Sequence, residues 1–202
     1  MTDFCTEDQY LTASDRALRE DRWDEQLSLM RRATQRFPHN AEFAYRLAAA
    51  NAASAPTKAR VHAARAVDLA PADPLIVGRC ASLMYDVAEY DLAERYVRKT
   101  IPIAGDDFPL LADMLHLIGK LAVRKENDEI AEQYLSLGFE LEPGSLGHAD
   151  FLATLFVKQG RLDEASTVVA RGLAERAPDH DRLVAIREVI DAARRRDAEA
   201  GQ

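Results

Sequence analysis

Five histidines (His39, His62, His116, His148 and His180) and two cysteines (Cys5 and Cys80) are the residues with which this 202-residue chain could do metal or nucleophile chemistry. Their spacing does not assemble it. No two histidines stand at i, i+4 around a glutamate, and no Cys/His cluster has zinc-ligand spacing. The tightest constellation, Asp179-His180-Asp181, follows Pro178 at an expected helix start. Aspartates there cap the helix and favour its dipole, so the trio reads as a cap rather than a metal site. The glycines are dispersed, and none forms a phosphate-cradling loop or a dinucleotide fingerprint after a strand. No serine sits in a nucleophile elbow. Asp106 and Asp107 fall in a long connection and read as solvated loop charges, not as a general acid and base. The expectation is a chain with no catalytic residue, no metal site and no cofactor.

Bulk properties narrow the partners. The formal net charge is −8 and the pI about 5.2, so a polyanion such as nucleic acid or an anionic membrane is repelled overall. The densest basic run, Arg194-Arg195-Arg196, sits at the end of the last expected helix, where cations complement the dipole. Two distant cysteines outside any CxxC motif fit a reducing compartment and unpaired thiols. The start, MTDFCTEDQY, has neither a basic segment nor an apolar stretch, so no signal peptide is expected, and no run reaches the ~18 apolar residues of a membrane span. These features predict a soluble cytoplasmic protein. The abundance of alanine and arginine suggests a bacterial source with GC-rich codons.

The elements that would position any site are helices, for alanine, leucine, arginine and glutamate dominate while glycine (9) and proline (8) are scarce. They also repeat. The segments RWDEQLSLMRRATQRFP (22–38), EYDLAERYVRKTIPIAG (89–105), NDEIAEQYLSLGFELEP (127–143) and RLDEASTVVARGLAERAP (161–178) share one grammar, and APTKARVHAARAVDLAP (55–71) is a looser fifth. The four open on a turn, pass an acidic patch and run as a helix to a stop at or near proline, and the fifth has proline where they have the aromatic or acidic opening. Aligned on Gln26, Ala59, Ala93, Ala131 and Ala165, the separations are 33, 34, 38 and 34 residues. Four residues later come Met30, Ala63, Val97, Leu135 and Val169, on the same helical face. Three further on stand Ala33, Ala66, Thr100, Gly138 and Gly172, small enough for close helix approach. Pro38, Pro71, Pro143 and Pro178 stop the second helices, with Gly105 in place of the third proline. First helices are expected near 7–20, 40–53, 73–87, 109–125 and 145–159.

A period near 34 with this helix–turn–helix grammar resembles the tetratricopeptide repeat. The resemblance implies an all-α, right-handed helix–turn–helix repeat solenoid occupying 1–202 as a single domain. Its units are approximately 7–39, 40–72, 73–106, 109–144 and 145–178. The amphipathic stretch 179–197, with Leu183, Ile186 and Ile190 on one stripe, is the expected capping helix. Only the fourth unit has the family's first-helix glycine, Gly119; the others carry Ser14, Leu47, Ala81 and Ala153.

The resemblance further implies a non-catalytic interaction scaffold or adaptor that binds a peptide or protein segment, acidic ones included, in the groove lined by first helices. A self-assembling, homo-oligomeric structural protein is the alternative. Expected groove residues are Arg79, Tyr85, His116, Lys120, Arg124 and Lys158. Their cations would meet acidic side chains or a C-terminal carboxylate, or would pair with Asp86, Asp113 and Asp150. Chaperone-binding members carry a carboxylate clamp on three adjacent first helices. At those places this chain has Leu11, Asp15, Tyr45, Leu75 and Arg79, of which Arg79 alone fits, so the acidic tails of heat-shock chaperones are disfavoured partners.

Overall fold

A computed structural model describes residues 6–105, 108–175 and 180–200. Cys5, the Asp106-Asp107 pair, Pro178, Asp179 and the His180 side chain lie outside what is described. Eleven α-helices and no strand occur among the described residues. The first helices of the repeats are α1 (Glu7–Arg19), α3 (Ala41–Asn51), α5 (Pro74–Asp86), α7 (Leu111–Arg124) and α9 (Leu146–Lys158). The second helices are α2 (Trp23–Arg36), α4 (Pro56–Leu69), α6 (Tyr90–Ile103), α8 (Asp128–Leu141) and α10 (Leu162–Ala174), and α11 (His180–Ala200) follows.

Local chemistry explains the boundaries. Asn40 accepts a hydrogen bond from the Phe43 amide at 3.1 Å, Asp73 from Leu75 and Ile76 at 2.9 and 3.2 Å, and Asn127 from Ile130 at 3.1 Å. Each satisfies donors that a helix start leaves open. Thr6 and Gln9 form a reciprocal capping box on α1. The turn between first and second helices repeats as well. Asp21, Ala88, Glu126 and Gly160 all adopt positive φ (53°, 61°, 56° and 74°), each five residues before its unit's alignment position. Only the last is glycine, so three turns carry left-handed backbone on residues with a Cβ.

Contacts group the chain into two compact units, Met1–Phe108 and Pro109–Gln202. In the first, α1 to α6 pack successively, and α3 also meets α5. Tyr10, Phe37 and Phe43 form an aromatic cluster with centroids 5.7–6.2 Å apart at its amino-terminal end. In the second, α7/α8 and α9/α10 are hairpins and α11 packs on both α9 and α10, burying Leu183 and Ile190 as a cap does. All fifteen residues at the three aligned positions of the second helices are buried. Small residues are needed where the helices approach closely, on first and second helices alike. A Cβ on Gly119 would lie 2.5 Å from Leu135 Cγ, and one on Gly172 would lie 2.9 Å from Leu183 Cδ1. The third stop comes at Gly105 as expected: α6 runs through Pro102 to Ile103, and Gly105 follows its C-cap Ala104.

Candidate functional site

In the first unit the inner residues of α1, α3 and α5 and the start of α2 enclose an open groove of about 540 Å³. Its apolar surface comes from Leu18, Leu27, Ala49, Ala50 and Ala53, with Trp23 standing at the wall 60% exposed. Large exposed indole beside a concave apolar surface is a common feature of recognition sites, because it offers much contact area at low entropic cost.

The groove's polar wall is a chain of ion pairs. Arg46 pairs with Asp15 and, at 2.6 Å, with Glu42; Glu42 also accepts from Arg79 at 2.9 Å. The Arg79 guanidinium lies over the Tyr45 ring, 4.6 Å from its centroid. Burial is the main cause that raises the Tyr45 hydroxyl above its ordinary pKa, and the neighbouring Arg79 works against it. Arg79 therefore lines the groove as expected, but it is held flat by Tyr45 and faces a carboxylate. Tyr85 lies elsewhere on α5, edge-to-face with Tyr90 at 5.3 Å, and is not among the residues lining this groove.

In the second unit His116 of α7 packs edge-on against Phe151 and His148 of α9, at 5.2 and 4.8 Å. His148 is buried, and its Nε2–H donates to the Ala112 carbonyl at 3.0 Å, which fixes the tautomer. The Nδ1 atoms of both rings are buried without a hydrogen-bond partner. Burial pushes His116 down to about 3, with the neighbouring His148 and Lys120 adding to the effect, so at neutral pH it is an uncharged packing ring. Lys120 extends over the Phe151 ring at 5.8 Å, and Arg124 is exposed at the end of α7. Lys158 pairs with Asp128 at 3.2 Å. Asp150, expected to point into the groove, is only 5% exposed and accepts from Arg182 of α11 at 2.7 Å. Burial raises its pKa, with Arg182 pulling the other way.

Trp23, Arg46 and the pairing role of Glu42 were not expected from the sequence. Trp23 is the chain's single tryptophan and stands at a helix start, which is the one signal that could have marked it. Cys80 is buried and unpaired, its thiol pushed up to about 12 chiefly by burial. Among the described residues no group of three or more His, Cys, Asp or Glu could hold a metal ion, and no helix is long and apolar enough to cross a membrane.

No protein-family model and no curated protein sequence matches the chain. Solved structures do. PilF of Pseudomonas aeruginosa superposes with a TM-score of 0.74 at 14% identity, over 96% of this chain and 97% of that one. A thermophilic tetratricopeptide repeat protein of Thermus thermophilus gives 0.63 at 21% identity, over 91% and 98%. The chain has the tetratricopeptide-repeat fold. Yeast Tom70 carries the same architecture as part of a longer protein, with a TM-score of 0.77 at 18% identity over 92% of this chain but 40% of its own. At these identities the likeness to tetratricopeptide repeat structures extends to the path of the helices and not to their side chains.

Proposed function

We propose that this protein is a non-catalytic interaction scaffold that binds a peptide segment of a partner protein against its first helices. The observation that carries the reading is the groove of the first unit, whose apolar surface and exposed Trp23 can accept an apolar side chain. Around it Asp15, Glu42, Arg46 and Arg79 satisfy one another and can exchange those bonds for polar groups of a bound peptide. In the second unit Lys120 and Arg124 of α7 are the cations that would meet acidic side chains of a bound segment, and Lys158 pairs with Asp128. The solved structures support the scaffold role at the level of fold; one of them, PilW, is described as a widely conserved type IV pilus biogenesis factor.

Trp23 reports on its own groove. A panel of peptides, apolar with and without acidic residues, is titrated while tryptophan emission is recorded. A binding peptide shifts the emission to shorter wavelength, and Trp23→Ala weakens its affinity about tenfold or more. If acidic residues engage the second unit, affinity falls with added salt and in Lys120→Glu/Arg124→Glu. Peptides that bind with unchanged emission and full affinity for the Trp23→Ala protein would remove the groove from the reading.

A further inference from the structure

The second helices of the repeats turn one face inward and the other outward, and the outward face of α8 differs from its counterparts. Six residues past the alignment position the units carry Arg32, Arg65, Lys99, Leu137 and Arg171. Four carry a cation where α8 carries leucine. With the cation gone, Ile130, Tyr134, Leu137 and Leu141 run unbroken along the helix at spacings of four, three and four. Ile130, Leu137 and Leu141 are 38%, 48% and 54% exposed, while Ala131, Leu135, Gly138 and Phe139 fill the inner side. Alternation of three and four is the pattern with which one helix receives another, and the row spans about 16 Å, three turns.

The charges beside the row choose the partner. α8 contains Asp128, Glu129, Glu132 and Glu140 and no lysine or arginine. Asp128, Glu132 and Glu140 meet Lys158, Arg161 and Arg171 of neighbouring elements, and by helical register Glu129 and Glu140 stand together on one flank of the row. We infer that the outer face of α8 is a docking surface for an amphipathic helix of a partner protein, with apolar residues at three–four spacing and lysine or arginine on the flank that meets Glu129 and Glu140. Two α8 rows packed antiparallel would bring their Glu129 and Glu140 flanks together, which disfavours that pairing with a second copy of the chain. The surface lies in the second unit and is independent of the Trp23 groove.

The probe is a synthetic helical peptide of about 18 residues with leucine at three–four spacing and lysine flanks, beside a twin with glutamate flanks. Anisotropy of the labelled peptide gives affinity for the wild-type protein, Leu137→Arg and Leu141→Glu. Arginine is what four sister repeats tolerate or nearly match at that position, and a thermal melt checks that both variants fold. The lysine-flanked peptide binds the wild type, and each variant loses about tenfold or more in affinity, as expected for one leucine side chain removed from an interface. The glutamate-flanked twin binds at least about tenfold more weakly at low salt. Wild-type affinity in both variants, or equal binding of the two peptides, overturns the inference. So does a shift of Trp23 emission with the same midpoint, which would assign the peptide to the groove. Self-association of the wild type that Leu137→Arg abolishes would assign the surface to a second copy instead.

Discussion

Replacing Gly138 with alanine sets two effects of opposite sign against each other, and the structure decides between them. In an open helix the change would stabilise by about 1 kcal/mol, because alanine is the better helix former. Gly138 is not in the open. A Cβ there would lie 2.4 Å from Cδ2 and 2.6 Å from Nε2 of His148, against ordinary contacts of about 3.5–4.0 Å. The ring must retreat by roughly 1 Å, and its Nε2–Ala112 hydrogen bond, now 3.0 Å, is stretched beyond use. His148 is buried, so no water replaces the bond. Overpacking costs about 1–3 kcal/mol and the orphaned donor and carbonyl about 1–3 more, which outweighs the propensity gain and leaves a net loss of about 1–5 kcal/mol. Urea unfolding followed by circular dichroism measures it as a lower midpoint at unchanged slope. The control is the same change in a His148→Ala background, where the ring is absent and alanine should be neutral or mildly stabilising. A Gly138→Ala protein as stable as wild type, or equal costs in the two backgrounds, would refute the reasoning.

Three further outcomes follow from the same structure. Ala88→Gly and Glu126→Gly relieve left-handed backbone in the inter-helix turns and should each raise stability by about 0.5–1 kcal/mol in thermal or urea unfolding, net of the entropy glycine adds to the unfolded chain; a decrease would show that the side chains there matter more than the backbone. His116, held at about 3 against an ordinary 6.5, binds fewer protons folded than unfolded between those values, so its contribution is present above pH 6.5 and lost as pH falls toward 3. His116→Phe should flatten the fall in stability between pH 6.5 and 4 by up to about 1.4 kcal/mol per pH unit, and an NMR titration placing His116 near its ordinary value would contradict this. Asp150 has a raised pKa, so its folded form favours the proton and its cost grows as pH rises through that value. Arg182→Ala should therefore destabilise the protein at pH 7 and much less near pH 4, a difference visible in paired melts, whereas an equal loss at both pH values would point to packing alone.

The helix boundaries were legible because three signals coincided in each unit: a small residue at a fixed position, an apolar residue four later, and a stop after two further turns. The five first helices fall within two residues of their expected ranges at either end. What could not be read was which charged residues face each other across units of the repeat. Arg79 pairs with Glu42, 37 positions away, and stacks on Tyr45, so a cation counted toward an acidic ligand is already answered within the fold. Asp150 looks like a groove residue by helical position, yet neighbouring helices bury it. Lys158 is answered by Asp128 for the same reason. Pairwise electrostatics between distant segments depends on how successive hairpins are rotated, and a period of 34 residues does not encode that rotation.

The Asp150–Arg182 pair has a consequence for anyone who would lengthen this array. Inside a row of identical hairpins, every joint is apolar and any unit can follow any other. Here the last hairpin keeps a buried carboxylate for α11, and the guanidinium that answers it belongs to α11 alone. Swapping that helix for another copy of a hairpin would seat a lipophilic surface on a carboxylate left with the Thr154 hydroxyl and no counter-charge. The fifth unit is thus made to be followed by this helix, and a designer who wishes to extend the row must first change Asp150.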